Sequence, residues 1–180
     1  MEDILVIICV VSCIAIYVNS WLNKNTKKEE EMEIRNKNTR ELFLDTLEGI
    51  GCQYQLGEGE DTRIFFSYQG EHFFADMKED SIYVHIWDAH WEQVELYDVD
   101  EVSRLRKAIN TSNRNSAVST FYTIDDEAKT MNVHAKTTIT FISSIPYLED
   151  YLRTELNEFF HAHQIVGIEI HKLREQEQHV

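Results

Sequence analysis

The sequence predicts an α+β domain with an antiparallel sheet, in the order α-ββββ-α-ββ-α, preceded by one N-terminal transmembrane helix. Three observations carry this. An uncharged run fills residues 4–22, the chain from Asn38 onward switches between helical and strand periods, and the strand-like segments are joined by turns too short for crossovers.

The run "ILVIICVVSCIAIYVNSWL" rises about 1.5 Å per residue as a helix and nearly matches a hydrocarbon core about 30 Å thick. Glu2 and Asp3 precede it where a signal peptide would be basic, and its apolar residues continue past Cys13 to Trp21. It therefore reads as an uncleaved anchor in preference to a signal peptide, a lipidation box at "VVSC" or a core helix. Lys24, Lys27 and Lys28 follow directly, and positive flanks stay on the cytoplasmic side. Tyr17 and Trp21 suit the interfacial aromatic belt at that end. The expected organisation is a single-pass anchor over 1–23, a charged stalk over 24–38 and a domain over 39–180 that faces the cytoplasm.

"NTRELFLDTLEGIG" places Leu42, Phe43, Leu47 and Ile50 at helical spacing, with Asn38 and Glu41 as a capping box and glycines at the far end. Four strand-like segments follow: "CQYQL", "RIFFSY", "EHFFADM" and "SIYVHIW". "QG" at 69–70 is a hairpin turn and "KED" at 78–80 another short connection. "DVDEVSRLRKAIN" returns to helical period, and "INTSNRNS" reads as its end and a turn of the chain. "AVSTFYTI" and "MNVHAKTTITFI" are two further strands. From Pro146 an apolar stripe runs through Leu148, Tyr151, Leu152, Leu156, Phe159 and Phe160. After Gly167, "IEIHKL" fits either a short strand or more helix.

Composition narrows the function. Lys and Arg number 17 against 32 Asp and Glu, a net charge of −15. That balance argues against nucleic acid, whose phosphates are held by clustered cations, and favours a soluble, self-repelling surface or a partner with a basic patch. The cysteines are Cys9 and Cys13 in the apolar run and Cys52 in the domain; a lone domain cysteine fits a reducing compartment.

The residues "GCQYQL", "IFFSYQGEHFFADM", "WEQVELYDVDEV", "AINTSN" and "FYTIDDEAKTMNVHAKTTITF" together resemble the YbjN-like family, the bacterial sensory transduction regulator proteins that share the fold of type III secretion chaperones. The resemblance covers about residues 38–164 and lies in element order and aromatic placement. It implies a bacterial protein, with the anchor in the inner membrane, and a fold that often pairs as a homodimer. It implies no cofactor, metal or catalytic residue.

"VHIWDAHW" at 84–91 is the densest candidate for chemistry. On a strand, Tyr83, His85 and Trp87 share one face and Ile82, Val84 and Ile86 the other. His85 and Asp88 then point oppositely and converge on a metal only if the chain turns sharply at 88–90. A strand followed by an aromatic-lined turn is the preferred reading. Burial as core beneath the first and last helices is the preferred reading for most of the sheet aromatics, and Phe65, Phe74, Tyr83, Trp87 and Trp91 are the candidate partner-binding surface beside it. His161 and His163 stand about 200° apart around a helix and read as solvated residues near its C-terminus. Acid pairs such as Asp125–Asp126 sit at turns and helix starts, and no GxSxG, P-loop, GxGxxG or HExxH motif occurs. The expected function is a non-enzymatic, membrane-anchored protein-binding module: an adaptor, regulator or chaperone-like protein using sheet-face aromatics or a strand edge, with no cofactor. A small-ligand sensor is the alternative, and a metal-dependent enzyme a more distant one.

Overall fold

The computed structural model describes residues 37–178 apart from 59–61 and 79, and before them Ser20, Leu22 and Lys24. The chain divides into two units, Met1–Lys37 and Asn38–Val180. The expected anchor and stalk lie almost wholly outside the described residues. Among the described residues no helix is long and apolar enough to cross a membrane.

The second unit is α+β, with three helices and a six-stranded antiparallel sheet. Its elements are α1 (Thr39–Gly49), β1 (Tyr54–Leu56), β2 (Ile64–Tyr68), β3 (Glu71–Asp76), β4 (Tyr83–Glu95), α2 (Val99–Asn115), β5 (Ser119–Asp125), β6 (Thr130–Thr140) and α3 (Leu148–Gln178). The spatial order of strands is β1-β2-β3-β4-β6-β5, so α2 carries the chain from β4 past the place that β6 later fills.

Local chemistry sets the first element at both ends. The Asn38 side chain accepts from the Glu41 N–H at 2.9 Å, and the Glu41 carboxylate accepts from the Asn38 N–H, completing the capping box. At the other end Gly51, with φ 81°, donates to Glu48 O while Cys52 N–H donates to Leu47 O. That is the Schellman pattern, and Leu47 and Cys52 close it inside the core. Gln69 and Gly70 both have positive φ, 50° and 91°, as a two-residue hairpin turn of matching twist requires.

All three helices pack on the same sheet face. Leu42, Phe43 and Leu47 of α1 and Leu152, Leu156 and Phe159 of α3 bury against Ile64, Phe66, Phe73, Val84 and Ile86. Leu105, Ala108 and Ile109 of α2 bury against Met131 and Val133. Phe43 is edge-on to Phe141 at 5.3 Å and to Phe66 at 6.0 Å. At the outer ends of the helices Arg104 pairs with Glu101 and Glu177, and Arg174 reaches Glu101 at 2.6 Å. Partial burial would raise the Glu101 pKa, but the two guanidiniums outweigh it and hold the carboxyl below its ordinary range.

Three boundaries differ from the sequence reading, and a fourth that it left open is decided. β4 does not turn at 88–90 but continues to Glu95, through an irregularity between Asp88 and Glu92. α2 runs to Asn115, because Ser112 and Asn113 find partners across the fold instead of turning the chain. α3 starts at Leu148, one residue past a left-handed Tyr147 (φ 54°), so Pro146 lies before the helix. It then continues unbroken through Gly167 to Gln178, which makes "IEIHKL" helical.

Phe43 is fully buried in this core, whereas the Asn38 cap is at the surface. Phe43→Ala should lower unfolding free energy by about 3–5 kcal/mol, and Asn38→Ala by about 1 kcal/mol. Urea unfolding followed by circular dichroism separates the two.

Candidate binding face

Alternation along each strand sends every second side chain to the face that carries no helix among the described residues. Register then aligns them across strands: Phe65 opposite Phe74, Phe74 opposite Trp87, Trp87 opposite Lys136, and Phe121 opposite His134 on the next rung. The result is a continuous aromatic row. Phe65 and Phe74 are 6.1 Å apart, Phe74 and Trp87 stack at 5.7 Å with planes 6° apart, and Trp87 meets Phe121 edge-on at 6.0 Å. Each such pair contributes about 0.5–1.5 kcal/mol beyond the area it buries. The charged groups over these rings are both cations. Lys136 Nζ sits 4.9 Å from the Trp87 ring and 5.5 Å from Phe121, and the Arg63 guanidinium 5.2 Å from Phe65 and 5.5 Å from Phe74.

Of the five aromatic residues singled out from the sequence, Phe65, Phe74 and Trp87 therefore form one row. Phe65 is 38% exposed, while Phe74 and Trp87 are half-buried. Tyr83 shares their face but stands four residues along β4, opposite Thr140. Trp91 does not join them: it turns to the helix side and stacks on His163 of α3 at 4.0 Å. Phe121, Lys136 and His134 are members that the sequence reading missed, because their place depends on the β4–β6–β5 register. Arg63 was within reach, since it stands two residues before Phe65.

The irregularity in β4 explains Trp91. Ala89, His90 and Trp91 together oppose the single residue His134, and His90 takes a left-handed φ of 61°. This bulge lets Asp88 and Trp91 both face the helices. The bulge is fastened by His134, whose Nδ1 accepts the His90 backbone N–H at 3.2 Å and whose Nε2 lies 2.8 Å from Thr123 Oγ1. A backbone N–H can only donate, so Nδ1 is bare and the ring is neutral, with its proton on Nε2. Burial, aided by the neighbouring His90, pushes the His134 pKa below its ordinary value, against a smaller opposing effect of Asp88.

On the helix side, Asp88 is 2% exposed and its Oδ2 lies 3.2 Å from His163 Nε2. The atoms are at ion-pair distance but off the angle of a hydrogen bond; among the described residues neither has a hydrogen-bond partner, nor does the buried Trp91 Nε1. His163 was expected to be solvated near a helix end. Because α3 extends to Gln178 it is instead mid-helix, one turn after Phe159 and Phe160 on the buried stripe. His85, on the opposite face from Asp88, bonds to Thr138 Oγ1 at 2.8 Å.

Beside the aromatic row a groove of about 990 Å³ is lined by Glu48, Cys52, Gln55, Ser67, His72 and Phe74 among others. Ser67 Oγ and His72 Nδ1 form a cross-strand pair at 2.9 Å within it. Cys52 is a free, buried thiol whose pKa burial raises, so it is a poor nucleophile. Among the described residues no three His, Cys, Asp or Glu side chains converge on a point that would hold a metal ion. No protein-family model, curated protein or solved structure matches the chain.

Two outcomes follow. The folded pKa of His134 lies below the unfolded value of 6.5, so the unfolded chain binds the proton first. The stability due to neutral His134 is fully present above that value and is lost as pH falls through the folded pKa. The gap in unfolding free energy between wild type and His134→Gln should therefore narrow from about pH 7.5 to 5; parallel profiles would refute the neutral ring. Separately, His163→Ala strands the buried Asp88 carboxyl and should cost about 3 kcal/mol. Adding Asp88→Ala should cost less than the sum of the two single changes, as a double-mutant cycle measures.

Proposed function

We propose that this chain is a non-enzymatic protein-binding module, anchored by residues 4–22 in the bacterial inner membrane with its α+β domain toward the cytoplasm. In this reading it is an adaptor, regulator or chaperone-like protein of the YbjN-like kind. The observation that carries the proposal is the row Phe65–Phe74–Trp87–Phe121 on the face that carries no helix among the described residues, with cations over its rings. Aromatic residues and arginine supply most of the energy in protein interfaces, because they desolvate a large area with few torsions to immobilise. A contiguous apolar row bounded by polar side chains such as Gln55, Ser67 and Asp76 is the kind of patch that a partner covers. Homodimerisation over the same face belongs to the same reading.

The groove beside the row favours a second reading, a small-ligand sensor. Its volume suits a ligand of modest size, and Gln55, Ser67 and His72 offer polar contacts.

The test is affinity purification of the full-length protein from detergent-solubilised native membranes. One dominant protein should accompany the wild type and be lost from Phe65→Ser/Phe74→Ser, whose melting temperature should stay within a few degrees of wild type. Identical companions for both proteins would refute the aromatic row as the binding surface. A melting temperature raised by a metabolite library, in the absence of any companion, would favour the sensor instead.

A further inference from the structure

The net charge of −15 is unevenly spread. Residues 102–124 contain no Asp or Glu, yet hold Arg104, Arg106, Lys107 and Arg114. This stretch comprises most of α2 and β5, which lie side by side. The Asn113 side chain bonds Thr120 at both N–H and C=O, at 2.7 and 2.8 Å, and the Arg106 guanidinium sits 6.0 Å from the Tyr122 ring. Arg104 is held by Glu101 and Glu177. Arg106, Lys107 and Arg114 are exposed and have no ion-pair partner among the described residues. Arg106 and Lys107 also line a shallow groove of about 550 Å³ on the outer side of α2.

Among the described residues β5 is an outermost strand, paired with β6 alone. Because Asn113 occupies the backbone groups of Thr120 from outside the sheet, alternation turns those of Tyr122 and Ile124 outward as well. Their side chains are 37% and 45% exposed. Asn113 thus closes the edge at one point, and among the described residues the next two outward positions are open. An open edge next to unpaired cations recognises two things at once: an extended backbone, and carboxylates on it.

We propose that the α2–β5 side of the domain binds an extended acidic segment of a partner protein, which adds to the sheet beside β5 at Tyr122 and Ile124. The cations also fit anionic lipid, but a lipid surface would leave the outward N–H and C=O groups unanswered, whereas a peptide strand satisfies both features. Polarity is set as well. Asp125, Asp126 and Glu127 begin where the open edge ends, so the incoming segment carries its carboxylates toward the Thr120 end and none beyond Ile124. Alternate residues of a strand share a face about 6.6 Å apart, so carboxylates at every second position face the helix together. The proposal rests on observations separate from the aromatic row and stands or falls independently of it.

The probes are two synthetic peptides, Glu-Val-Glu-Val-Glu-Thr-Thr and its reverse, which cover both strand directions, and a control with Lys in place of Glu. Binding to the full-length protein in detergent micelles is read by NMR shifts at Tyr122 and Ile124 and by titration. One acidic peptide should bind and the lysine peptide should not. Arg106→Glu/Lys107→Glu/Arg114→Glu should weaken binding about tenfold or more. Ile124→Pro should do the same with the fold intact, because the N–H it deletes points away from β6. Failure of both acidic peptides, or binding indifferent to Ile124→Pro, overturns the proposal. So does a response of the α2 signals to phosphatidylserine in the micelles with none to either peptide.

Discussion

Most of this domain hangs on the pairing of β4 with β6. The two strands are neighbours in the sheet but are separated in the chain by α2 and β5, so the sheet closes only after a long loop has been drawn together. Once it closes, β6 is flanked on both edges, and residues 130–135 are buried on both faces. That register is what sets Lys136 over Trp87, Thr138 against His85 and His134 beneath the bulge. Each contact joins residues some 44–53 positions apart, so none of them forms by local preference.

The bulge is the second constraint, and it acts on both faces of the sheet. An unbroken strand would send Trp91 to the face opposite Asp88. Three residues against one bring the indole and the carboxyl to the same side, where the His163 ring stacks on Trp91 and meets Asp88. The bulge thereby fixes how α3 lies against the sheet, while His90 and His134 meet on the outer face. A left-handed backbone at a non-glycine residue persists only where surrounding contacts determine it. Here the His134 ring supplies one, through the hydrogen bond to the His90 N–H.

The order of elements was legible because it is written in short-range signals. The Asn38–Glu41 cap, the Gln69–Gly70 turn and the switch between helical and alternating periods each lie within a few residues. Errors gathered where local chemistry points one way and tertiary contacts another. "NTSN" favours a turn because such side chains compete for the backbone, yet Ser112 reaches Ala162 and Thr120, and Asn113 reaches Thr120, so the helix continues. Alternation breaks at 88–91, which hid the second half of β4. His163 could have been found, since it continues the stripe of Phe159 and Phe160; the competing prospect of a helix end obscured it. Of the aromatic row, Phe65, Phe74 and Trp87 came from patterns within one strand each. Phe121 and Lys136 needed a register that no local pattern specifies.

Charge gives the same lesson at larger scale. A total of −15 suggests an acidic surface everywhere, and a basic partner to match it. The structure instead sets cations over the aromatic row and along α2, where residues 102–124 hold no acid. Repulsion among the acids elsewhere and attraction near the cationic strip are both screened beyond about 10 Å in ordinary salt. A partner drawn by such short-range attraction must also fit in shape. The two surfaces ask for different shapes: the aromatic row offers area without direction, and the edge of β5 offers directed backbone groups with little area. On the readings proposed above, one partner could engage both only by presenting an apolar surface and, separately, an extended acidic strand.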